Sequence, residues 1–347
     1  MGSSLVIGPP IISTSPWAGP AADDPDTGVF DDTDEATAEC EQRVCPVGVE
    51  HHGARLDHAL VALVPELSRN YLQQLVESGA VLVNGQLARK PSAKVRLGDT
   101  LAISLRPTLQ SQAFRPEPMA LQTVYEDEHL RVIDKPAGLV VHPAPGNWSG
   151  TLLNGLLALD PQATVLPRAG IVHRLDKDTS GLMVVARTRA TMDALVRQIA
   201  AREVHRQYLA IAHKPWHGPG LRRVDAPVGR DPRQRLRMAV VDLGRDAGKP
   251  AQTDFALLAN ADTHCLLRCT LHTGRTHQIR VHAASLGHPL LADTLYGGSP
   301  ALGLTRQALH AERLSFAHPV TGQPVSLTSA LPADLSTALK LGGLRYN

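Results

Sequence analysis

The chain has 347 residues, 43% hydrophobic and 3% aromatic, with four cysteines and a formal net charge of +2. This is enough chain for two domains and a sizeable core. No stretch approaches the roughly 20 apolar residues a bilayer span needs, and four cysteines without a disulfide-like framework fit a reducing cytoplasm. Leu5, Val6 and Ile7 lack the preceding basic segment of a secretory signal, and Val6 stands where N-myristoylation needs Ser or Thr. The near-neutral total conceals a split: residues 1–50 hold ten acidic groups against one Arg, net −9, leaving residues 51–347 at net +11. A basic body of that kind suits a phosphate backbone.

In chain order, residues 1–48 are rich in Pro, Gly and acids without periodicity, and are expected to form a disordered acidic tail. From Arg55 the apolar residues Leu56, Ala59, Leu60 and Leu63 fall on one helix face, which Pro65 interrupts. Ser68 reads as the N-cap of a helix from Arg69 to Ser78, with Leu72, Leu75 and Val76 inward and Gly79 ending it. Asn84-Gly85 between Val81 and Leu87 is a hairpin signal, and Gly98-Asp99 turns the chain into a strand from Leu101 to Leu105. Arg55, Arg69, Arg89 and Lys90, with Lys94 and Arg96, make this small unit basic; by itself it suits nucleic acid or protein equally. Residues 107–120, with three prolines, read as a linker. Beyond Leu121, strands are expected at Leu130–Ile133, Gly170–Val172, Leu182–Ala186, Val204–Ala212 and Cys265–Leu271, with a helix over Thr191–Arg202. They are interspersed without a regular βαβ repeat, which favours a mixed-sheet α+β fold.

The decapeptide HRLDKDTSGL, His173 to Leu182, concentrates the chemistry. Asp176 between Arg174 and Lys177 is expected to stay ionised, as a nucleophile or base must, and it falls at a loop-to-strand junction where sites are often built. Most such charged turns are surface ion-pair clusters, so spacing alone leaves that reading ahead. Zinc is argued against: Cys265 and Cys269 are roughly 13 Å apart along one strand, and His277 and His282, five apart on an expected helix, do not share a face. In LHTGRTHQIRVHAASLGHP a Gly turn precedes a helix packed through Ile279, Ala283 and Leu286. Arg275 and Arg280 near its start can hold phosphate, though no Walker motif is present. Tyr208, on a strand beside basic groups, can stack on an unstacked base or simply pack. His142, in a Gly- and Pro-rich loop, is a candidate cleft residue or a structural one.

Residues 53–105 resemble an S4 RNA-binding domain through GARLDHAL, LSRNYLQQLVESGAVLVNG and KVRLGDTL, and Arg55 and Arg69 match that module's basic recognition surface. Residues 121 to about 335 resemble the RluA family of pseudouridine synthases. VIDKPAGLVVHPAPGNWSGTLLNGLL, PRAGIVHRLDKDTSGLMVVART, EVHRQYLAIA and LHTGRTHQIRVHAASLGHPLLADTLYGG occur in the family's order. With the S4 module, the chain is most similar to the group that modifies bacterial large-subunit (23S) ribosomal RNA. The resemblance implies an α+β catalytic domain over 121–340 built on a mixed, largely antiparallel sheet, preceded by an S4 domain over 49–106. It implies Asp176 as the essential carboxylate and Tyr208 stacked on the target base with a hydroxyl available for proton transfer. Arg280 rather than Arg275 is expected to pair with Asp176, and Arg174 to hold the flipped nucleotide or fill its vacated place. His173, Lys177, Arg275 and His277 are expected beside the RNA, and Arg206 stands where Lys is frequent. The reaction breaks the uridine N1–C1′ bond and joins C5 to C1′, so it needs no metal, no cofactor and no water-activating carboxylate pair. Attack at C1′, attack at C6 and removal of the ribose 2′ proton all remain open. The implied setting is a cytoplasmic monomer acting on ribosomal RNA or a pre-ribosomal particle, without a membrane. Another ribosomal site, a transfer RNA or an inactive S4-type binding protein are the alternatives.

Overall fold

The computed structural model describes residues 41–105, 113–144, 147–234 and 237–346; most of the acidic tail and the first part of the expected linker lie outside them. The N-terminal unit contains β1 (Glu41–Pro46), α1 (Leu56–Leu63), α2 (Arg69–Glu77), β2 (Val81–Val83), β3 (Gln86–Leu87) and β4 (Thr100–Leu105). Its strands pair antiparallel in the order β1-β4-β2-β3. The helices lay Leu56, Leu60, Leu72 and Leu75 against Val81, Leu101 and Ile103, all fully buried. Ser68 caps α2 by accepting from the Tyr71 N–H, and Asn84 and Gly85 take the left-handed conformations that a tight hairpin requires. One expectation is corrected here: β1 lies inside the segment read as tail. It is ordered by pairing along its whole length with β4, a distant strand that local composition does not announce.

The second unit contains β5 (Gln122–Glu126), β6 (Leu130–Lys135), α3 (Leu152–Leu159), β7 (Ser180–Ala186), α4 (Arg189–Ala201), β8 (His205–His213), β9 (Leu221–Asp225) and β10 (Val228–Arg230). It continues through β11 (Met238–Val240), β12 (Gly248–Lys249), β13 (Gln252–Asn260), β14 (His264–Leu271), α5 (Gln278–Ser285), β15 (Leu309–Ala317), β16 (Pro324–Thr328) and α6 (Ala333–Leu341). A nine-stranded sheet runs β5-β6-β7-β15-β8-β14-β13-β9, with β16 also paired to β15. Its pairs are antiparallel apart from β7 with β15, so the sheet is mixed and the class is α+β. No helix among the described residues is long and apolar enough to cross a membrane.

Two further expectations differ from the structure. Gly170–Val172 does not form a strand: Arg168, Ala169 and Gly170 have φ of 53°, 53° and 79°, a left-handed run that cannot extend, and Ile171 alone makes a bridge, to Val185. Residues 113–119 are not a free linker, because Asn154 on α3 donates to the carbonyls of Ala113 and Arg115 and Glu117 accepts from the Gly150 N–H. The chain also stays packed past residue 340, with Leu344 buried and the Tyr346 hydroxyl bonded to Glu312.

Candidate active site

The loop that carries Asp176 is held from three sides. Lys135, fully buried at the end of β6, donates from Nζ to the carbonyls of Pro136 (2.8 Å), Leu139 (2.9 Å) and Lys177 (2.9 Å), using all three donors of an ammonium. Burial pushes its pKa down to about 8, which still leaves it charged at neutral pH. The Asp176 carbonyl accepts from the Thr179 N–H at 3.1 Å, closing the turn. At Gly181 a Cβ would fall 2.2 Å from the Ala311 carbonyl oxygen, so only glycine lets β7 lie this close to β15.

Asp176 lines a cleft of about 890 Å³. Its Oδ2 accepts from Arg280 Nη1 at 3.1 Å, and its Oδ1 lies 3.9 Å from His277 Nε2. Arg280 is fixed from behind: Nε and Nη2 donate to the two oxygens of Asp293 at 2.7 and 2.8 Å, a bidentate geometry, and the Asp293 side chain is 1% exposed. The same guanidinium lies over the Tyr296 ring, 4.9 Å from its centre. The Tyr296 hydroxyl in turn accepts from the Met238 N–H and bonds His277 Nδ1 at 2.8 Å. Burial works against the Arg280 cation, but Asp293 and then Asp176 more than offset it and raise its pKa. One cation thus serves two carboxylates, and the trio retains a net negative charge at the cleft.

Tyr208 on β8, which lines the same cleft, is 4% exposed, and burial pushes its hydroxyl up to about 12, so it keeps its proton at neutral pH. His173 accepts the Val184 N–H at Nε2, and burial lowers it to about 3, a neutral ring. His142 is lowered to about 4 by burial and by the nearby Arg168 and Arg174. Arg168, Arg174, Arg202, Arg206 and Arg275 also line the cleft, which makes its surroundings strongly cationic.

Comparison with known proteins gives these features a family. The ribosomal large subunit pseudouridine synthase D of Neisseria meningitidis serogroup B is 48% identical over 90% of this chain and 85% of its own. Its counterpart in Xanthomonas campestris pv. campestris is 48% identical over 82% and 87%, and that of Escherichia coli O157:H7 is 42% identical over 85% and 92%. The chain belongs to the RNA pseudouridine synthases. The family described as RNA pseudouridylate synthase matches residues 129–285, and the S4 domain matches residues 54–101. Among solved structures, human RNA pseudouridylate synthase domain containing 4 aligns at 25% identity and a TM-score of 0.53, covering 65% of this chain and 94% of that one. Human RNA pseudouridylate synthase domain containing 1 aligns at 26% and 0.50, covering 64% and 90%.

In this pseudouridine synthase the immediate neighbours of Asp176 do not act as the sequence suggests. Arg174 and Lys177 are exposed, and among the described residues neither pairs with the carboxylate. Arg275 donates to the Pro250 carbonyl and not to Asp176. His277 has φ 57° and precedes α5 as its N-cap, so it does not share the helix with His282, whose ring bonds Thr253 and the Ala226 carbonyl. Cys265 and Cys269 are fully buried in the main core, and burial raises both thiols.

In the S4 unit, Arg55 and Arg69 meet on one buried carboxylate. Asp57, with no exposure, accepts from Arg55 Nε (2.9 Å), Arg69 Nη2 (2.8 Å) and Gln73 Nε2 (2.8 Å), and the Arg55 hydrogen bond leads in holding its pKa far below the usual range. Both arginine side chains remain about half exposed, at 49% and 51%, with their guanidinium groups oriented. Arg89 and Lys90 are exposed beyond β3. The sequence did not reveal the roles of Lys135, Asp293, Tyr296 and Asp57, although all four sit inside the recognised motifs DKPAG, LLADTLYGG and GARLDHAL, which were the available signal.

Proposed function

We propose that this pseudouridine synthase isomerises specific uridines of large-subunit ribosomal RNA, with Asp176 as the catalytic carboxylate. The observation that carries this reading is the chain Asp293–Arg280–Asp176, which presents a fixed and still negative carboxylate to a cleft faced by Tyr208 and ringed by arginines. The relatives' names supply the ribosomal target, and the S4 unit with Arg55, Arg69, Arg89 and Lys90 supplies a second basic surface for RNA. The chain then works as a monomer in the cytoplasm, on ribosomal RNA or a pre-ribosomal particle.

RNA docks by its phosphates on the cationic rim, including Arg174 and Arg275. The target uridine leaves its stack at a cost of a few kcal/mol, offset by stacking on Tyr208. The N1–C1′ bond breaks with its electron pair leaving on the uracil, the base turns, and C5 bonds C1′. The C5 proton is released and N1 ends protonated, so atoms and charge balance without any co-reactant. Asp176 can serve this sequence at C1′, at C6 or at the ribose 2′ proton. His173 and His142 remain neutral, and Tyr208 is a proton donor and not a base at neutral pH. Contacts within the cleft keep the detached uracil beside the sugar, so rejoining outruns escape.

Release of tritium from 5-tritiated uridine in a 23S ribosomal RNA transcript tests the reading. Asp176→Asn is expected to keep its fold and its RNA affinity and to release none. Turnover near that of the wild type in this variant would remove Asp176 from the chemistry.

A further inference from the structure

We propose that Arg206 contacts a carbonyl oxygen of the departing uracil and stabilises the negative charge that develops there. This rests on the reading above, in which the extruded base stacks on Tyr208.

Three arginines are buried among the described residues: Arg131, Arg206 and Arg280, at 5%, 6% and 7% exposure. Arg131 pairs with Glu126, and Arg280 with Asp293 and Asp176. Arg206 pairs with no carboxylate among the described residues, and its buried Nε has no hydrogen-bond partner. A buried cation without an ion-pair partner is unfavourable, so the site suits a ligand on which negative charge develops. The surroundings admit such a ligand. Arg206 lines the cleft, two residues before Tyr208 on the same face of β8. A Cβ on Gly274 would sit 2.9 Å from Arg206 Nη1, so the bare glycine leaves the guanidinium its place. His173 adds a second unfilled donor lining the same cleft. Its Nε2 accepts the Val184 N–H, which puts the ring proton on Nδ1, and that atom is buried without a partner.

The position of Arg206 favours the base over the phosphate as its ligand. The exposed Arg168 and Arg174 are available to phosphates, whereas Arg206 lies nearly covered beside the proposed stacking ring. When the N1–C1′ bond breaks, its electron pair passes to uracil N1 and spreads onto the ring carbonyl oxygens. A guanidinium already in place meets that charge without reorganisation. As C5 bonds C1′, the pair is drawn back into the new bond, and the C5 proton then leaves. Arg206 neither gives nor takes a proton in this sequence.

The test uses the full chain and the tritiated transcript, reading the single-turnover rate at saturating protein and the RNA Kd across a salt series. Arg206→Met is expected to lose about 10²-fold in rate, as removal of one oxyanion donor does, with Kd and its salt slope unchanged. Arg206→Lys, which keeps a compact cation, is expected to fall between the two, and added guanidinium to restore part of the rate of Arg206→Ala. An Arg206→Met variant with wild-type rate overturns the proposal. So does one whose Kd weakens and whose salt slope falls by about 1 while the saturated rate is kept, because that is the signature of a phosphate contact. If the wild type itself releases no tritium, the parent reading falls and this one with it; wild-type turnover beside an unimpaired Arg206→Met sinks the present inference alone.

Discussion

Asp293→Asn isolates the fixing of Arg280 from the chemistry it serves. The substitution keeps the shape of the side chain but turns one charged acceptor into an amide, which opposes a guanidinium N–H where Arg280 now donates at 2.7 and 2.8 Å. Removing one partner of a buried ion pair destabilises by about 3–5 kcal/mol. Because Asp176 still holds Nη1 at 3.1 Å, the lower end is expected, about 3 kcal/mol, or roughly a 6–12 °C fall in Tm for a domain of this size. Arg280, released from behind, is then free to grip Asp176 with two nitrogens and draw it off its position, and a misplacement of about 1 Å lowers turnover by roughly 10²-fold. Urea unfolding and tritium release read the two effects separately. The Arg280→Met/Asp293→Asn double variant removes cation and carboxylate together, and is expected to be less destabilised than the sum of the singles by about 2 kcal/mol. An Asp293→Asn protein within 1 kcal/mol and twofold of wild type would refute the whole arrangement.

Two other substitutions probe the scaffold. Lys135→Met leaves three carbonyls without their donor, and an unfolding free-energy loss on the order of 3 kcal/mol is expected at pH 7. The pH dependence has a definite sign: the folded pKa of about 8 lies below the ordinary 10.5, so the unfolded chain holds this proton more tightly between those values. The stability of the wild type relative to Lys135→Met therefore rises from pH 8 to 10.5, by up to roughly 3 kcal/mol; a flat or falling difference in denaturant titrations would contradict the burial of a charged amine. In the S4 unit, Asp57→Asn frees Arg55 and Arg69 without removing either charge. RNA binding is expected to weaken at every salt concentration with an unchanged salt slope, whereas Arg55→Ala and Arg69→Ala should each lower that slope by about 1, as measured by filter binding.

The elements that follow local rules are readable from the chain, and those made by distant partners are not. The period-two pattern of β8 separates Arg206, Tyr208 and Ala210 from Leu209 and Ile211, and in the fold Tyr208 and Ala210 join one core while Leu209 and Ile211 join another. Ser68 and the Leu72, Leu75, Val76 stripe mark α2 because cap and amphipathic face are both local. By contrast, Ile171 and Val172 have strand-like composition, but the left-handed backbone at 168–170 is imposed by the approach to Ala186, whose carbonyl oxygen would lie 2.0 Å from a Cβ on Gly170. On the better-covered face of β1, Arg43 and Cys45 are only partly buried, so its own sequence shows little of a strand that β4 stabilises.

The site divides along the same line. Asp176 is recognisable because acid, cations and turn residues crowd into one decapeptide, yet assigning it the nearest cations confuses proximity along the chain with proximity in space. Arg174 and Lys177 turn to solvent, where a cation is well hydrated and mobile. Ordering such a side chain against the carboxylate would cost up to about 2 kcal/mol in rotamer freedom. Arg280 is ordered in advance by Asp293 and the Tyr296 ring, so its pairing with Asp176 draws on no further entropy. The division also has a functional logic: a carboxylate served from behind by a fixed guanidinium leaves the flanking Arg174 unspent, and this exposed cation lining the cleft is one that an incoming phosphate backbone can engage.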